Sequence, residues 1–310
     1  MLNEDALRDS IRTLVADVIR EELGGGDTVT GATPQVPATA TAPTAPMGAP
    51  SGGDVECVPD ITTISMQDTY NVPNACDEEG YRKMKQFTSG RLGIWRAGPR
   101  PLTASYMRFK ADHAAAQNTV WSDVDEQVIK DLGLVALESR SADKAEYLKK
   151  PPTGKRLSDE SIEIVKQSAQ TGKQVQIMFS DGLSSKAIER NAKDILPALE
   201  QGLKSLGISY AEKHFFVKNG RVAVMEEVGE LTGAEVVIIL TGERPGLNSQ
   251  ASMGAYLAYK PTIAMEESRR TVISNISATA TPPVEAGAQI AELAQSMLKH
   301  KMSGVDLKLV

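Results

Sequence analysis

Val236-Val237-Ile238-Ile239-Leu240-Thr241-Gly242-Glu243-Arg244-Pro245-Gly246-Leu247 sets an unbroken apolar run directly against a glycine-bounded polar turn. An aliphatic, β-branched run of this length, with Gly233 before it and Gly242 after it, is the pattern of a strand covered on both faces of a parallel α/β sheet. Ligands of such sheets bind just beyond the carboxyl ends of the strands. Glu243 and Arg244 are then either ligand groups or a solvated pair in an ordinary turn. The adjacent guanidinium favours the ionised carboxylate, which is a hydrogen-bond acceptor rather than a proton donor.

Working outward from this strand, the chain from 158 to 302 alternates between the two periodicities. A helix over 159–169, capped by Ser158, leads to a strand over 174–179, a loop over 180–184 and a helix over 186–206 broken or kinked at Pro197. A strand pair around 215–225 and a short helix over 226–231 follow, then the opening strand, a strand over 255–259 and a helix over 283–300. Pro282 and Pro283 stand at the start of that last helix. The pattern predicts an α/β fold with a doubly wound, Rossmann-like, mostly parallel sheet in a domain over 158–310. A mainly helical region over 54–157 precedes it, with one clear helix over 103–121.

The first 23 residues carry Leu7, Ile11, Leu14, Val15, Val18 and Ile19 at helical spacing, an amphipathic helix ended by Gly24-Gly25-Gly26. Residues 24–53 are almost wholly Thr, Ala, Pro, Gly and Ser, a composition that predicts a disordered linker. A helix on such a tether is read as a docking peptide, because its stripe is aliphatic and its polar face mixes acids with bases. Packing back on the body, or a small coiled coil, is the other reading.

Composition excludes several classes of function. With 310 residues, a formal charge of −6 and 5% aromatics, the chain offers neither a basic stripe for phosphate backbones nor a stacking platform for bases, so no nucleic-acid partner is expected. Cys57 and Cys76, with three histidines in the whole chain, make a protein metal site improbable. No apolar segment approaches the roughly 20 residues that span a bilayer, and a cytoplasmic protein without a membrane partner is expected.

Two strand-to-loop junctions, Ser180-Asp181-Gly182-Leu183-Ser184 and Thr241-Gly242-Glu243-Arg244, fall on one edge of the inferred sheet. Neither matches GxGxxG or GxxxxGK[ST], so dinucleotides and nucleoside triphosphates are disfavoured. Ser184 and Ser185 lack a nucleophile-elbow setting, and His113 and His214 are read as structural. No catalytic acid, base or nucleophile stands out, although a hydrolase built on Glu243 and Asp181 is a conceivable rival. Arg96-Ala97-Gly98-Pro99-Arg100 is either a charged surface loop or an anion or subunit contact, and 269–276 reads as a strand with a polar end or part of the crevice wall.

Taken in order, Arg96-Ala97-Gly98-Pro99-Arg100, Arg108-Phe109-Lys110-Ala111-Asp112-His113, Ser180-Asp181-Gly182-Leu183-Ser184, Gly242-Glu243-Arg244-Pro245-Gly246-Leu247 and Ile273-Ser274-Asn275-Ile276 resemble the small (light) chain of ethanolamine ammonia-lyase, from about Arg91 onward. The resemblance implies an adenosylcobalamin-dependent carbon–nitrogen lyase converting ethanolamine to acetaldehyde and ammonia. A large subunit would hold the substrate and the reacting groups, while this chain clamps the cofactor against it. The family's cobalamin contacts carry over to Val222, Glu243 and Val272, with no catalytic and no metal-ligating residue in this chain. Val272 stands where the family has a cysteine, so a thiol's role is lost there, and Thr153 stands where a similar family segment has Asp. The N-terminal helix resembles the peptides that direct enzymes to the shell or cargo of a bacterial microcompartment. A freestanding cobalamin carrier or chaperone is the alternative.

Overall fold

The run from Val236 folds as a wholly buried inner strand of a six-stranded sheet. The computed structural model describes residues 61, 64–88 and 90–307. The described residues all belong to one compact unit, Val58–Val310. The helix expected over 1–23, the linker over 24–53 and Cys57 all lie outside the described residues.

Helix α1 (Glu78–Gln86) opens the described part. A short antiparallel ribbon of β1 (Arg96–Ala97) and β2 (Arg100–Pro101) follows, and then α2 (Thr103–Trp121) and α3 (Glu126–Asp131). Strand β3 (Val135–Glu138) and helix α4 (Lys144–Lys149) lead into the alternating part: α5 (Asp159–Ser168), β4 (Val175–Ser180), α6 (Ser185–Ser205), β5 (Phe215–Lys218), α7 (Val224–Thr232) and β6 (Val236–Gly242). Strands β7 (Met253–Tyr259) and β8 (Thr271–Ile276) and helix α8 (Pro283–His300) complete the body.

The sheet order is β3-β5-β4-β6-β7-β8. The pairs β3–β5, β5–β4 and β4–β6 are parallel, whereas β6–β7 and β7–β8 are antiparallel. The sheet is therefore mixed, with parallel pairing dominant. The reason lies in the connections: a parallel return needs a crossover of a dozen or more residues, usually helical, and residues 243–252 contain no helix. β3 joins this sheet from inside the stretch expected as mainly helical, so the sheet reaches back across position 157.

Alternation along β6 sorts its side chains between two cores. Val236, Ile238 and Leu240 pack with Ile188, Ile195 and Leu199 of α6 and Ile290 of α8, while Val237 and Ile239 pack with Val224 and Val228 of α7 and Val165 of α5. All seven β6 residues are buried, and complete burial stabilises each large aliphatic by about 1.5–3 kcal/mol. That sum exceeds anything the polar turn can contribute, which is why the strand is fixed and the turn is free to serve a ligand.

Two expectations are corrected here. The helix expected to be broken or kinked at Pro197 is not broken there: it runs from Ser185 to Ser205, because its fully buried stripe of Ile188, Ile195, Leu199 and Leu203 outweighs one lost backbone bond. The expected strand pair around 215–225 is one strand only: Asn219, at φ +53°, turns the chain and α7 begins at Val224.

Candidate functional site

Strand order reverses at β4: the chain leaves it through α6 to β5 on one side and returns through α7 to β6 on the other. A reversal of this kind opens a crevice at the carboxyl ends of the neighbouring strands. Ser180 at the end of β4 lies opposite Thr241 at the end of β6, so the two polar junctions meet there as expected.

They meet backbone to backbone. Gly182 has φ +53°, and a Cβ on it would lie 2.4 Å from the Gly242 carbonyl oxygen. A Cβ on Gly242 would lie 2.2 Å from the Ser184 oxygen and 2.6 Å from the Asp181 oxygen. The Leu183 N–H donates to the Gly242 carbonyl at 3.0 Å, locking the two loops together. Above this floor is a cavity of about 430 Å³ walled by Tyr147, Gly220, Arg221 and Tyr256 with the two glycine loops.

Val222 and Glu243, both expected from the sequence, line the same cavity. Val222 sits in the turn between β5 and α7, partly packed on the core. Val272 lies outside the cavity wall, but it pairs directly across the ladder with Tyr256, which is part of the wall, and so shares its face of the sheet. Its side chain is 49% exposed on the edge strand β8, beyond the cover of α5 and α7.

Glu243 does not pair with Arg244. Its backbone N–H continues the β6–β7 ladder to the Ser252 oxygen at 2.9 Å. Its carboxylate accepts from the Ser252 hydroxyl at 2.6 Å, from the Ser274 hydroxyl, and from the Asn275 N–H at 3.2 Å. Glu243 thus ties the turn to β8, with little acceptor capacity left over, while Arg244 stays exposed. Burial and the Glu243 carboxylate push the Tyr256 hydroxyl above its ordinary range, against the pull of Arg270. Arg270 is itself paired with the buried carboxylate of Glu226.

Lys144 and Asn219, which the sequence gave no reason to single out, complete the site around residues of the quoted motifs. Asp181, 1% exposed, accepts from Lys144 Nζ at 2.7 Å and from the Asn219 N–H at 2.8 Å. Burial pushes its carboxyl up, partly offset by those donors. The Ser180 hydroxyl donates to the Gly220 carbonyl at 2.9 Å, so the β5–α7 turn is fastened to the β4 loop. On the other side, Arg91 and Arg108 both hold buried Asp112, and Arg91 also reaches the Leu247 carbonyl at 3.3 Å, bracing the loop after β6 from α2. His214 is buried against Glu200 at 2.8 Å, as a structural histidine, and the Thr153 hydroxyl is spent on Ser141 at 2.8 Å. Among the described residues neither carboxylate forms a catalytic dyad: Asp181 is buried with Lys144 and the Asn219 N–H, and Glu243 is committed to Ser252 and β8.

Comparison with known proteins agrees with the motifs. The family model described as ethanolamine ammonia-lyase light chain matches residues 78–308. The ethanolamine ammonia-lyase small subunit of Listeria monocytogenes serovar 1/2a is 51% identical over 251 residues, covering 81% of this chain and 85% of that protein. The small subunit of Clostridium perfringens is 51% identical over 253 residues, with 82% and 85% coverage, and that of Clostridioides difficile is 50% identical over 252, with 81% and 86%. With matches of this extent, covering β1 to α8 and the whole of the crevice, the chain belongs to the ethanolamine ammonia-lyase light-chain family.

Proposed function

We propose that this chain clamps adenosylcobalamin against a large catalytic subunit of ethanolamine ammonia-lyase, and that the cavity beyond β4 and β6 is its half of the cofactor site. The observation that carries this reading is the glycine-lined floor at the strand-order reversal, open on one side and containing no acid–base pair of its own. The doubly wound reading of the sheet draws its support from the α6 and α7 crossovers, which lie on opposite faces and run in opposite directions from β4.

The residues present suit a bulky, oxygen-rich cofactor. The floor is close-packed backbone that no side chain covers, and two buried polar atoms, Asn219 Oδ1 and Arg221 Nε of the adjoining turn, have no partner among the described residues. Val222 and Val272 would supply apolar contact, and Glu243 would hold the turn in register while offering its remaining lone pair. A cavity of about 430 Å³ takes one part of a corrinoid, and the exposed face of β8 around Val272 leaves the rest to a facing chain. Adenosylcobalamin supplies a homolysable cobalt–carbon bond and with it the radical chemistry that the side chains here cannot provide. This chain's own task is to bind, orient and exclude water.

Co-purification with the large subunit, followed by the absorption spectrum of bound cobalamin, tests the reading. Stable assembly and cofactor retention only in the complex are expected. Tight cobalamin binding by the isolated chain, with no association with the large subunit, would instead make it a carrier. For the N-terminal segment we propose docking to microcompartment shell or cargo in the bacterial cytoplasm. Removing residues 1–26 is expected to leave lyase activity in vitro intact and abolish encapsulation.

A further inference from the structure

We infer that Arg221 is the anion-binding residue of this cavity, holding its guanidinium ready for the phosphodiester of the nucleotide tail of a bound cobamide. The inference rests on the cofactor reading above and goes beyond it by assigning a chemical partner to one side chain.

Arg221 is held in place before any ligand arrives. Its guanidinium carbon lies 4.4 Å from the centroid of the Tyr147 ring, and its Nη2 donates to the Tyr147 carbonyl at 2.7 Å. Its own N–H donates to the Gly154 carbonyl at 2.7 Å. Tyr147 is 2% exposed and directs its hydroxyl at the Gly220 carbonyl at 3.5 Å, beneath the turn that carries Arg221. That turn is fastened in its place by Asp181, which accepts the Asn219 N–H. A cation on an aromatic face, held by one guanidinium bond on a backbone that is itself fastened, has lost much of the freedom that a binding event would otherwise have to remove.

Its charge is not answered among the described residues. Arg221 Nε is buried without a partner, and among the described residues no carboxylate forms an ion pair with the guanidinium. The nearby buried carboxylate, Asp181, is committed to Lys144 at 2.7 Å. A partly buried, unneutralised guanidinium is costly alone, and an anion that accepts two parallel N–H bonds relieves it. A cobamide offers many neutral amide oxygens but one anionic group of that shape, the phosphodiester.

The test uses the assembled large and small subunits with cyanocobalamin and with dicyanocobinamide, which lacks the nucleotide tail and its phosphodiester. Equilibrium dialysis read by corrin absorbance gives the affinity for each. Arg221→Gln is expected to lower cyanocobalamin affinity about tenfold to hundredfold, the range of one charge-assisted contact, and to leave cobinamide affinity within about twofold. Arg221→Lys, which keeps the charge over Tyr147 without the planar fork, is expected to fall between and decides the matter where the Gln variant does not assemble. Equal losses for the two corrinoids, or no loss for either, would overturn the inference, since the guanidinium would then only shape the wall or meet an amide. A wild-type complex that bound neither corrinoid would sink the cofactor reading itself.

Discussion

Replacing Lys144 by methionine keeps most of the aliphatic stem and removes the ammonium that faces Asp181. Asp181 is 1% exposed and would be left with the Asn219 N–H at 2.8 Å and a long contact from the Ser180 hydroxyl at 3.4 Å. Removing one partner of a buried ion pair costs about 3–5 kcal/mol, because the remaining charge is neither solvated nor neutralised. Since Lys144 is also nearly buried, with 9% side-chain exposure, solvent screening does little to soften the loss. The pH dependence carries a definite sign. Burial already raises the Asp181 carboxyl and Lys144 opposes that rise, so the Met variant's folded-state value climbs further above the unfolded one. A group raised in the folded state binds more protons there, so the stability it withholds at neutral pH is regained as pH falls toward the unfolded value. Urea unfolding of the full-length chain, followed by circular dichroism at a series of pH values, measures this directly. The deficit relative to wild type is expected to be largest near pH 7 and to shrink as the solution is acidified. A deficit below about 1 kcal/mol that is flat with pH would refute the reasoning, because it would mean the pair is solvated rather than buried.

Gly242→Ala drives a methyl into the Ser184 and Asp181 backbone oxygens and is expected to destabilise by about 1–3 kcal/mol, read as a lowered unfolding temperature together with weaker cyanocobalamin binding in the complex. Glu243→Ala releases the Ser252, Ser274 and Asn275 donors without opening the core; a loss of cobamide retention with a stability change of about 1–3 kcal/mol is expected, and unchanged affinity in the reconstituted enzyme would count against the site. Asp112→Asn leaves Arg91 and Arg108 facing each other with no countercharge, and limited proteolysis is expected to cut the region around α1 and α2 several-fold faster than in wild type.

The strand and its glycine turn were legible because burial on both faces writes a long apolar run, and the end of that run is where a parallel sheet places its ligands. The meeting of the Ser180 and Thr241 junctions followed from the same logic. The relation between Glu243 and Arg244 was not legible, and the reason is geometric: successive residues of extended chain point to opposite faces, so adjacency in sequence separates their charges. Glu243 instead meets Ser274, 31 positions away, through a ladder register that no local pattern encodes. Tyr147 and Lys144 escaped notice for the same reason. They lie on a six-residue helix, and their partners are 74 and 37 positions away, at Arg221 and Asp181. Strand β3 was not legible because its alternation runs over only four residues with a single fully buried position, Leu137, too short a stretch to define a period. Val222 is proposed only through the resemblance to the family, since nothing in Gly220-Arg221-Val222 by itself announces a ligand.

The contact between Gly182 and Gly242 has one further consequence. Most binding floors are paved with side chains, each with rotamers to be frozen and a shape that drifts with temperature or substitution. Here the two glycines press main chain on main chain, and the contour at that contact is set largely by peptide planes. Contact with that backbone freezes no side-chain torsion, and replacements among the wall side chains, such as Val222, can alter the lining of the site without moving its floor.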